Sequence, residues 1–267
     1  YTLLTETEAL QEDNELRASI LQWCTHYYKQ VPLQVRKYIR QNLDDTKNDP
    51  FGYFYLLYKI HKPTLSTRPV CLDCASTPHA LGQYVDETLQ SMVKAQQTYF
   101  KDSFALKNIL DTLHIPPNAS LFTYDAISMY TNIDTVDCIN RLSDYLHSPE
   151  TWFSFNHYTQ ALIEAIKLVM CNNRMKFGDV FVHQVSGIAM GMSPAPTIAN
   201  LYIAIYEQCH LLKYLETSLC FLKCFIDDGI GIWLHNADTG KSSKLWLMAV
   251  AYLGPFSLVP DRSSSWT

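Results

Sequence analysis

Two adjacent carboxylates, Asp227 and Asp228, lie between the mostly apolar residues 221–226 and 230–234. This pattern predicts two strands joined by a tight Asp227-Asp228-Gly229 turn. Apolar strands keep both charges at the edge of their sheet, and adjacent like charges raise each other's pKa unless a cation lies between them. A solvated turn is the alternative interpretation, because Asp and Gly are common turn residues for conformational reasons alone.

A second carboxylate site follows the same logic. Asp125 comes near the end of an apolar segment, residues 121–127, that predicts a short buried strand. By itself, Asp125 could simply cap the helix that follows. Together, Asp125 and Asp227 would let two strands present hard oxygen ligands to shared Mg²⁺ or Mn²⁺ ions. Two such ions about 4 Å apart can activate an attacking oxygen and stabilise a leaving one.

A basic segment near residue 60 suits a phosphate-bearing ligand. Lys59, Lys62 and Arg68 fall on a predicted hairpin whose turn contains Pro63. Three cations on one hairpin suit a triphosphate or the backbone of a nucleic acid strand. An ordinary basic turn is the alternative.

A loop rich in small residues precedes a predicted helix at residues 184–200. Gly187 and Gly191 in this loop would allow a ligand to approach the backbone closely. The alternative is a plain loop leading into a helix that has Pro196 in its first turn.

The elements that must position these residues follow from hydrophobic periodicity. Helices are predicted over residues 6–30, from Pro32 to about 42, 79–97, from a Ser103 cap onward, 134–146, 157–171 and 196–215. Strands are predicted over 53–60, 68–72 and 121–127, with hairpins over 174–184 and 221–234. This arrangement predicts an α+β fold with a small antiparallel sheet packed under helices.

Composition excludes several classes of protein. The 267 residues are 48% hydrophobic and 18% charged, which excludes global disorder. The net charge of −5 hides a basic segment, residues 29–68, with eight basic and three acidic side chains. No apolar run is long enough to span a membrane and no leader is evident, so we expect an intracellular protein of the nucleus or cytoplasm with reduced cysteines. Cys71 and Cys74 have the spacing of zinc ligands. The second pair, Cys220 and Cys224, falls within a predicted strand, which argues against a zinc site.

Taken in order, the basic hairpin, the Asp125 strand, the Gly-rich loop and the Asp227-Asp228 hairpin resemble a reverse transcriptase over about residues 53–235. The residues of these motifs are most similar to those of the Penelope-like retroelements. The segments that carry the resemblance are Lys59–Pro69, Asp125–Ile133, Met190–Asn200 and Phe225–Asp228. Each motif alone is weak evidence, and the ordered set of four is specific.

The resemblance implies the fingers and palm of a right-hand polymerase, with the thumb largely absent. Its domains would be a helical N-terminal extension, fingers, a palm with the catalytic aspartates, and a truncated or divergent tail, over residues 1–52, 53–120, 121–240 and 241–267. The chain begins with Tyr1 rather than Met, and few residues follow Leu234. We therefore expect a fragment of a longer protein.

The resemblance also implies roles for individual residues. Asp125, Asp227 and Asp228 would be catalytic, and with the carbonyl of Ala126 they would bind two Mg²⁺ or Mn²⁺ ions. Tyr130 would be the steric gate that selects deoxynucleotides. The remaining candidates for binding the deoxynucleoside triphosphate are Lys59, Lys62, Arg68, Met190 and Gly191, and those for contacting primer or template are Phe225 and Gly187.

Two residues depart from the reverse transcriptase pattern. Phe225 replaces the more usual Tyr before the paired aspartates, and Cys224 stands where a basic residue is common. The expected function is that of a retroelement reverse transcriptase that extends a primer 3′-OH on an RNA or DNA template. The alternative is a catalytically inactive nucleic-acid-binding remnant of such a polymerase. A metal-dependent hydrolase is a weaker third reading, because it leaves Tyr130 and the basic hairpin unexplained.

Overall fold

The computed structural model describes residues 1–60, 64–74, 76–126, 128–149, 158–210, 212 and 218–234. The helices are α1 (Glu6–His26), α2 (Leu33–Asp45), α3 (His79–Lys94), α4 (Ser103–Thr112), α5 (Met129–Asn132), α6 (Thr135–His147), α7 (Thr159–Met170) and α8 (Ala195–His210). The strands are β1 (Thr2–Leu4), β2 (Gly52–Tyr58), β3 (Thr67–Leu72), β4 (Ala119–Asp125), β5 (Asn173–Phe177), β6 (Val180–Gln184), β7 (Leu219–Phe225) and β8 (Asp228–Leu234). The α+β class predicted from the sequence is confirmed.

The chain forms two compact units, each assembled from two separate stretches of sequence. Unit 1 combines Tyr1–Leu89 with Ile133–Ile198, and unit 2 combines Gln90–Asn132 with Ala199–Thr267. The domain boundaries expected for extension, fingers, palm and tail stay predictions, and the tail at 241–267 lies outside the described residues.

Unit 1 contains a five-stranded sheet in the order β1-β6-β5-β2-β3. The hairpins predicted for β2–β3 and β5–β6 are present, and Gly178 takes a positive φ of 59° in the second turn. Two features of this sheet were not predicted. The short strand β1 pairs with β6, and β2 runs parallel to β5, so the sheet is mixed rather than purely antiparallel.

The core of unit 1 is built from helices and from one face of that sheet. The indole nitrogen of Trp23 in α1 donates to the carbonyl of Ala161 in α7 at 2.9 Å. Ala9, Phe51 and Phe181 form a buried cluster in which the two phenyl rings meet edge to face. These contacts bury the apolar stripe of α1, which is the main source of stability for an amphipathic helix.

Several helix ends differ from the predicted ones, among them the end of α1 and the start of α4. Helix α1 ends at His26 rather than near residue 30, and the chain then turns, with the Gln30 amide donating to the Tyr27 carbonyl at 2.9 Å. The N-cap of α4 is Asp102 rather than Ser103, because the Asp102 carboxylate accepts a hydrogen bond from the Ala105 amide at 2.9 Å.

Unit 2 contains a three-stranded antiparallel sheet in the order β4-β8-β7. Its central strand β8 pairs with β4 on one side and β7 on the other. Helix α8 contributes fully buried side chains to this unit, among them Ala199, Leu201 and Tyr202. Among the described helices, none is both long and apolar enough to cross a membrane.

Candidate active site

The aspartates predicted from the sequence meet at one end of the three-stranded sheet. Asp125 is the last residue of β4 and lies directly opposite Asp228, the first residue of β8, while Phe225 of β7 is the partner of Asp228 on the other side. Directly opposed residues project to the same face of a sheet. Asp125, Asp228 and Phe225 therefore form one row, and all three are exposed.

Asp227 lies beside this row, in the turn between β7 and β8. The backbone amide of Ala126 donates to the Asp227 carbonyl at 2.9 Å, which extends the pairing of β4 beyond Asp125. The turn consists of Ile226 and Asp227, so the predicted Asp227-Asp228-Gly229 turn starts one residue too late and ends two residues too late. Asp228 and Gly229 belong to β8 because they continue its ladder with β4.

Ile226 occupies an unfavourable backbone conformation. Its φ is 58°, in the left-handed region that β-branched residues rarely adopt. A positive φ at the first central position is the geometry of hairpin turns that match the twist of the flanking strands. The pairing on both sides holds Ile226 in place, and strain of this kind is concentrated at functional sites.

The electrostatics of this edge reflect the crowding of carboxylates. The pKa of Asp228 is raised above its ordinary value, first because partial burial disfavours the charge and then because Asp227 and Asp125 carry like charges nearby. Crowded carboxylates favour a cation or a proton among them. The edge formed by Asp125, Asp227 and Asp228 is called the aspartate edge below.

The aspartate edge fits a hard divalent cation in its donor chemistry but is not a closed cage. Within the described residues, no three His, Cys, Asp or Glu side chains are arranged to enclose a metal ion by themselves. Mg²⁺ characteristically binds through one or two carboxylates and completes its shell with waters and substrate phosphates. The residues present therefore fit an ion that shares its ligands with a phosphate-bearing substrate.

Beneath the aspartate edge lies a second row of side chains on the opposite face of the sheet. It consists of Tyr124, Gly229 and Cys224, each one residue from the exposed row. The ring of Tyr124 lies against Gly229, where an added Cβ would stand only 1.9 Å from the ring. Gly231 has the same relation to the ring of Phe122, at 2.2 Å. The glycines of β8 thus make room for aromatic rings from β4.

Sequence reasoning missed Glu207, which lies under this second row. Glu207 belongs to α8 and is fully buried, and its Oε1 accepts a hydrogen bond from the Tyr124 hydroxyl. Burial raises the pKa of Glu207, and the nearby Thr98, Tyr124 and Cys224 offset this only in part. The sequence did contain a sign that Glu207 is buried. It ends the apolar stretch 201–206, two helical turns after Asn200 on the same helix face.

The remaining predicted residues of unit 2 have identifiable positions. Ala126 is buried immediately after the last residue of β4. Tyr130 lies on the short helix α5, five residues beyond Asp125, and is partly buried. The ring of Phe225 packs against that of Phe100 with centroids 5.5 Å apart, so part of its surface is already covered by this chain.

The basic hairpin belongs to unit 1. Arg68 lies on β3 opposite Leu57 and is exposed, and the amide of Lys59 donates to the carbonyl of Ser66 at 2.9 Å just beyond the end of β2. Lys62 lies outside the described residues. Several large apolar side chains of the same hairpin are also exposed, including Tyr58, Ile60 and Leu65.

The Gly-rich loop also belongs to unit 1, and it runs against the hairpin. The amide of Cys71 in β3 donates to the carbonyl of Met190 at 2.7 Å. Gly191 has a φ of 103°, and an added Cβ would lie 2.1 Å from the carbonyl oxygen of Cys71. The carbonyl of Gly187 accepts a hydrogen bond from the Thr135 hydroxyl. The need for glycine at 191 therefore comes from β3 of the same chain, and its nucleotide contact stays a prediction.

The fold is that of the right-hand nucleic-acid polymerases. Telomerase from Candida tropicalis, in its apo form truncated from the C-terminal domain, superposes with a TM-score of 0.55 at 11% identity, covering 92% of this chain and 55% of that one. The BmCPV RNA-dependent RNA polymerase at its elongation state gives 0.52 at 14% identity, covering 97% and 24%. A human picobirnavirus RNA-dependent RNA polymerase, an insertion-loop deletion mutant, gives 0.52 at 10% identity, covering 79% and 42%.

These likenesses establish the fold and not a family. No protein-family model matches the chain, and no curated protein matches it. The chain spans about half the length of the telomerase chains that share its fold.

Proposed function

We propose that this chain is the polymerase core of a retroelement reverse transcriptase, similar to the Penelope-like branch. It would transfer deoxynucleotides to a primer 3′-OH on an RNA or DNA template and release pyrophosphate. The observation that carries the proposal is the pairing of Asp125 with Asp228 across β4 and β8, with Asp227 in the adjoining turn. The right-hand polymerase fold supports the same class of reaction.

The aspartate edge has the chemistry that nucleotidyl transfer requires. Asp125, Asp227 and Asp228 would hold two Mg²⁺ or Mn²⁺ ions, with the Ala126 carbonyl as a further ligand. When bound, such ions lower the pKa of the attacking hydroxyl and neutralise charge on the phosphates. The contribution of the protein would be positioning, because a rigid sheet end would hold the carboxylates where primer and triphosphate meet.

Other residues would bind and select the substrates. Lys59 and Arg68 of the hairpin, with Lys62, would contact the triphosphate. The ring of Tyr130 would exclude a ribose 2′-OH, and this supports the choice of deoxynucleotides. Met190 and Gly191 would line the nucleotide site, and Phe225 and Gly187 would contact primer or template.

Primer extension on an RNA template tests the proposal. The wild-type chain and Asp227→Asn are compared with Mg²⁺ or Mn²⁺ present, and Asp179→Asn is the matched control because Asp179 is an exposed aspartate in the β5–β6 turn. We expect extension by wild type and by the control, and loss of extension in Asp227→Asn with an unchanged circular dichroism spectrum. Equal extension by all three would refute the assignment. Template binding without extension by the wild type would favour the inactive remnant instead.

A further inference from the structure

Glu207 lies beneath β4, which ends in Asp125, and β7, which leads into the turn that carries Asp227. Strand residues alternate between faces, so the side chain one position before an exposed aspartate points into the protein. On β4 this is Tyr124, which is 4% exposed and precedes Asp125. On β7 the corresponding side chain is Cys224, which lies opposite Gly229 beside the Ile226–Asp227 turn. Both side chains meet Glu207.

We propose that Glu207 is a positioning residue for the aspartate edge, acting through Tyr124 on Asp125 and through Cys224 on the turn that carries Asp227. This inference rests on the proposed function, because it assigns a second layer to the same site. It differs from the roles of the aspartates in that Glu207 would touch neither metal nor substrate.

Burial disfavours the charged form of the Glu207 carboxyl group and raises its pKa. Its exposed fraction is 0%, and the groups that act on it are the hydroxyls of Thr98 and Tyr124 and the thiol of Cys224. The adjoining cavity measures about 10 Å³, the space of about one water molecule. The carboxyl group therefore has room for at most about one water, which agrees with the upward shift of the Glu207 pKa.

Backbone and side-chain hydrogen bonds connect a third segment, residues 96–99, to the surroundings of Glu207. The amide of Cys224 donates to the carbonyl of Thr98 at 2.8 Å, and Tyr99 forms an isolated parallel bridge with Cys224. Gln208, next to Glu207 in α8, donates to Gln96 at 2.9 Å. Residues 96–99, β7 and α8 are therefore tied together around the buried acid.

The two carboxyl oxygens of Glu207 differ in their hydrogen bonding. Within the described residues, no hydrogen-bond partner reaches Glu207 Oε2, whereas Oε1 is bound to the Tyr124 hydroxyl. The bond to Tyr124 is therefore the contact that a substitution should test. Leucine at position 207 keeps the volume but removes the acceptor, and glutamine keeps a neutral acceptor of the same size.

The experiment compares Glu207→Gln, Glu207→Leu, Tyr124→Phe and the double variant Glu207→Leu/Tyr124→Phe. Ile203→Ala is the stability control, because Ile203 is a buried residue of the same helix. The readouts are Mn²⁺ binding by electron paramagnetic resonance with primer–template present, the thermal midpoint, and kcat and KM for the deoxynucleotide.

We expect Glu207→Leu and Tyr124→Phe each to weaken Mn²⁺ binding and lower kcat by about tenfold or more, as supporting partners of a metal site do. KM should change little, the double variant should be no worse than either single one, and Glu207→Gln should restore both readouts. Ile203→Ala should lower the thermal midpoint without changing Mn²⁺ affinity.

Two results would overturn the positioning role. One is Glu207→Leu with a lower thermal midpoint but unchanged Mn²⁺ affinity and kcat, which is what a purely structural residue gives. The other is Glu207→Gln as impaired as Glu207→Leu. If the wild type binds Mn²⁺ but does not extend a primer, the proposed function fails, and Mn²⁺ affinity still decides the role of Glu207.

Discussion

Gly229→Ala should destabilise the chain through a single contact. An added Cβ at residue 229 would lie 1.9 Å, 2.1 Å and 2.5 Å from three atoms of the Tyr124 ring. The ring must retreat by roughly 1.5 Å to regain ordinary contact, and it is buried against β8 with its hydroxyl bound to Glu207. Relief of the clash therefore displaces the Tyr124 hydroxyl from its acceptor.

The magnitude follows from these two effects. Overpacking a core costs about 1–3 kcal/mol, and separating a buried hydroxyl from its acceptor adds about 1–3 kcal/mol. Alanine in a strand recovers about 0.5–1 kcal/mol relative to glycine. The expected loss in the free energy of unfolding is therefore about 3 kcal/mol.

Urea unfolding followed by circular dichroism measures this loss. Gly178→Ala is the matched control, because Gly178 has a positive φ but no atom within 4 Å of an added Cβ, so it should lose only about 1–2 kcal/mol from backbone strain. In a Tyr124→Ala background, Gly229→Ala should cost nothing, since the ring is gone. An equal cost with and without the ring, or a loss smaller than that of Gly178→Ala, would refute the reasoning.

Three further predictions concern the same regions. Asp228→Asn should raise the thermal midpoint at pH 7 relative to wild type, and this gain should disappear at acidic pH. The raised pKa of Asp228 means that the folded state holds the proton of Asp228 more tightly than the unfolded state does. The stability of the wild type therefore falls as pH rises through that titration. An equal gain from Asp179→Asn would contradict this. Gly191→Ala should destabilise by about 3 kcal/mol or more in urea unfolding, because the Cys71 carbonyl is backbone and cannot move aside; a loss under that of Gly178→Ala would show that β3 does not impose the glycine. Tyr130→Ala should improve ribonucleotide incorporation relative to deoxynucleotide incorporation by about tenfold or more in kcat/KM, and Tyr130→Phe should not; unchanged selectivity would refute the gate.

Local patterns allowed much of the aspartate edge to be predicted from the sequence. Apolar runs ending in aspartate identified Asp125 and the Asp227-Asp228 pair, because strands bury apolar residues and expel charge at their ends. The pairing partner of Asp125 could not be predicted, since the register between β4 and β8 depends on contacts about a hundred residues apart in sequence.

The errors have physical causes. Asp-Gly is a strong turn signal, so Gly229 was assigned to the turn, whereas the ring of Tyr124 is what requires it. Ile226 has a low preference for the turn position that it occupies, and only the surrounding strands hold it there. Glu207 was overlooked because a glutamate in a helix is usually exposed, and its burial depends on Tyr124 from a distant strand.

The pairing of β4 with β8 has a consequence for how the protein is made. When the ribosome has synthesised β4, its partner strand is still about a hundred residues away, and at about 5–20 residues per second the wait is on the order of 5–20 s. Closing a loop of that length costs roughly 4 kcal/mol of chain entropy, which only β8 can offset. Until then the apolar face of β4, with Phe122 and Tyr124, has no permanent partner strand. The nascent chain therefore needs protection from aggregation at this strand more than at any local hairpin, and Asp125 can meet Asp228 only after about a hundred further residues have been synthesised.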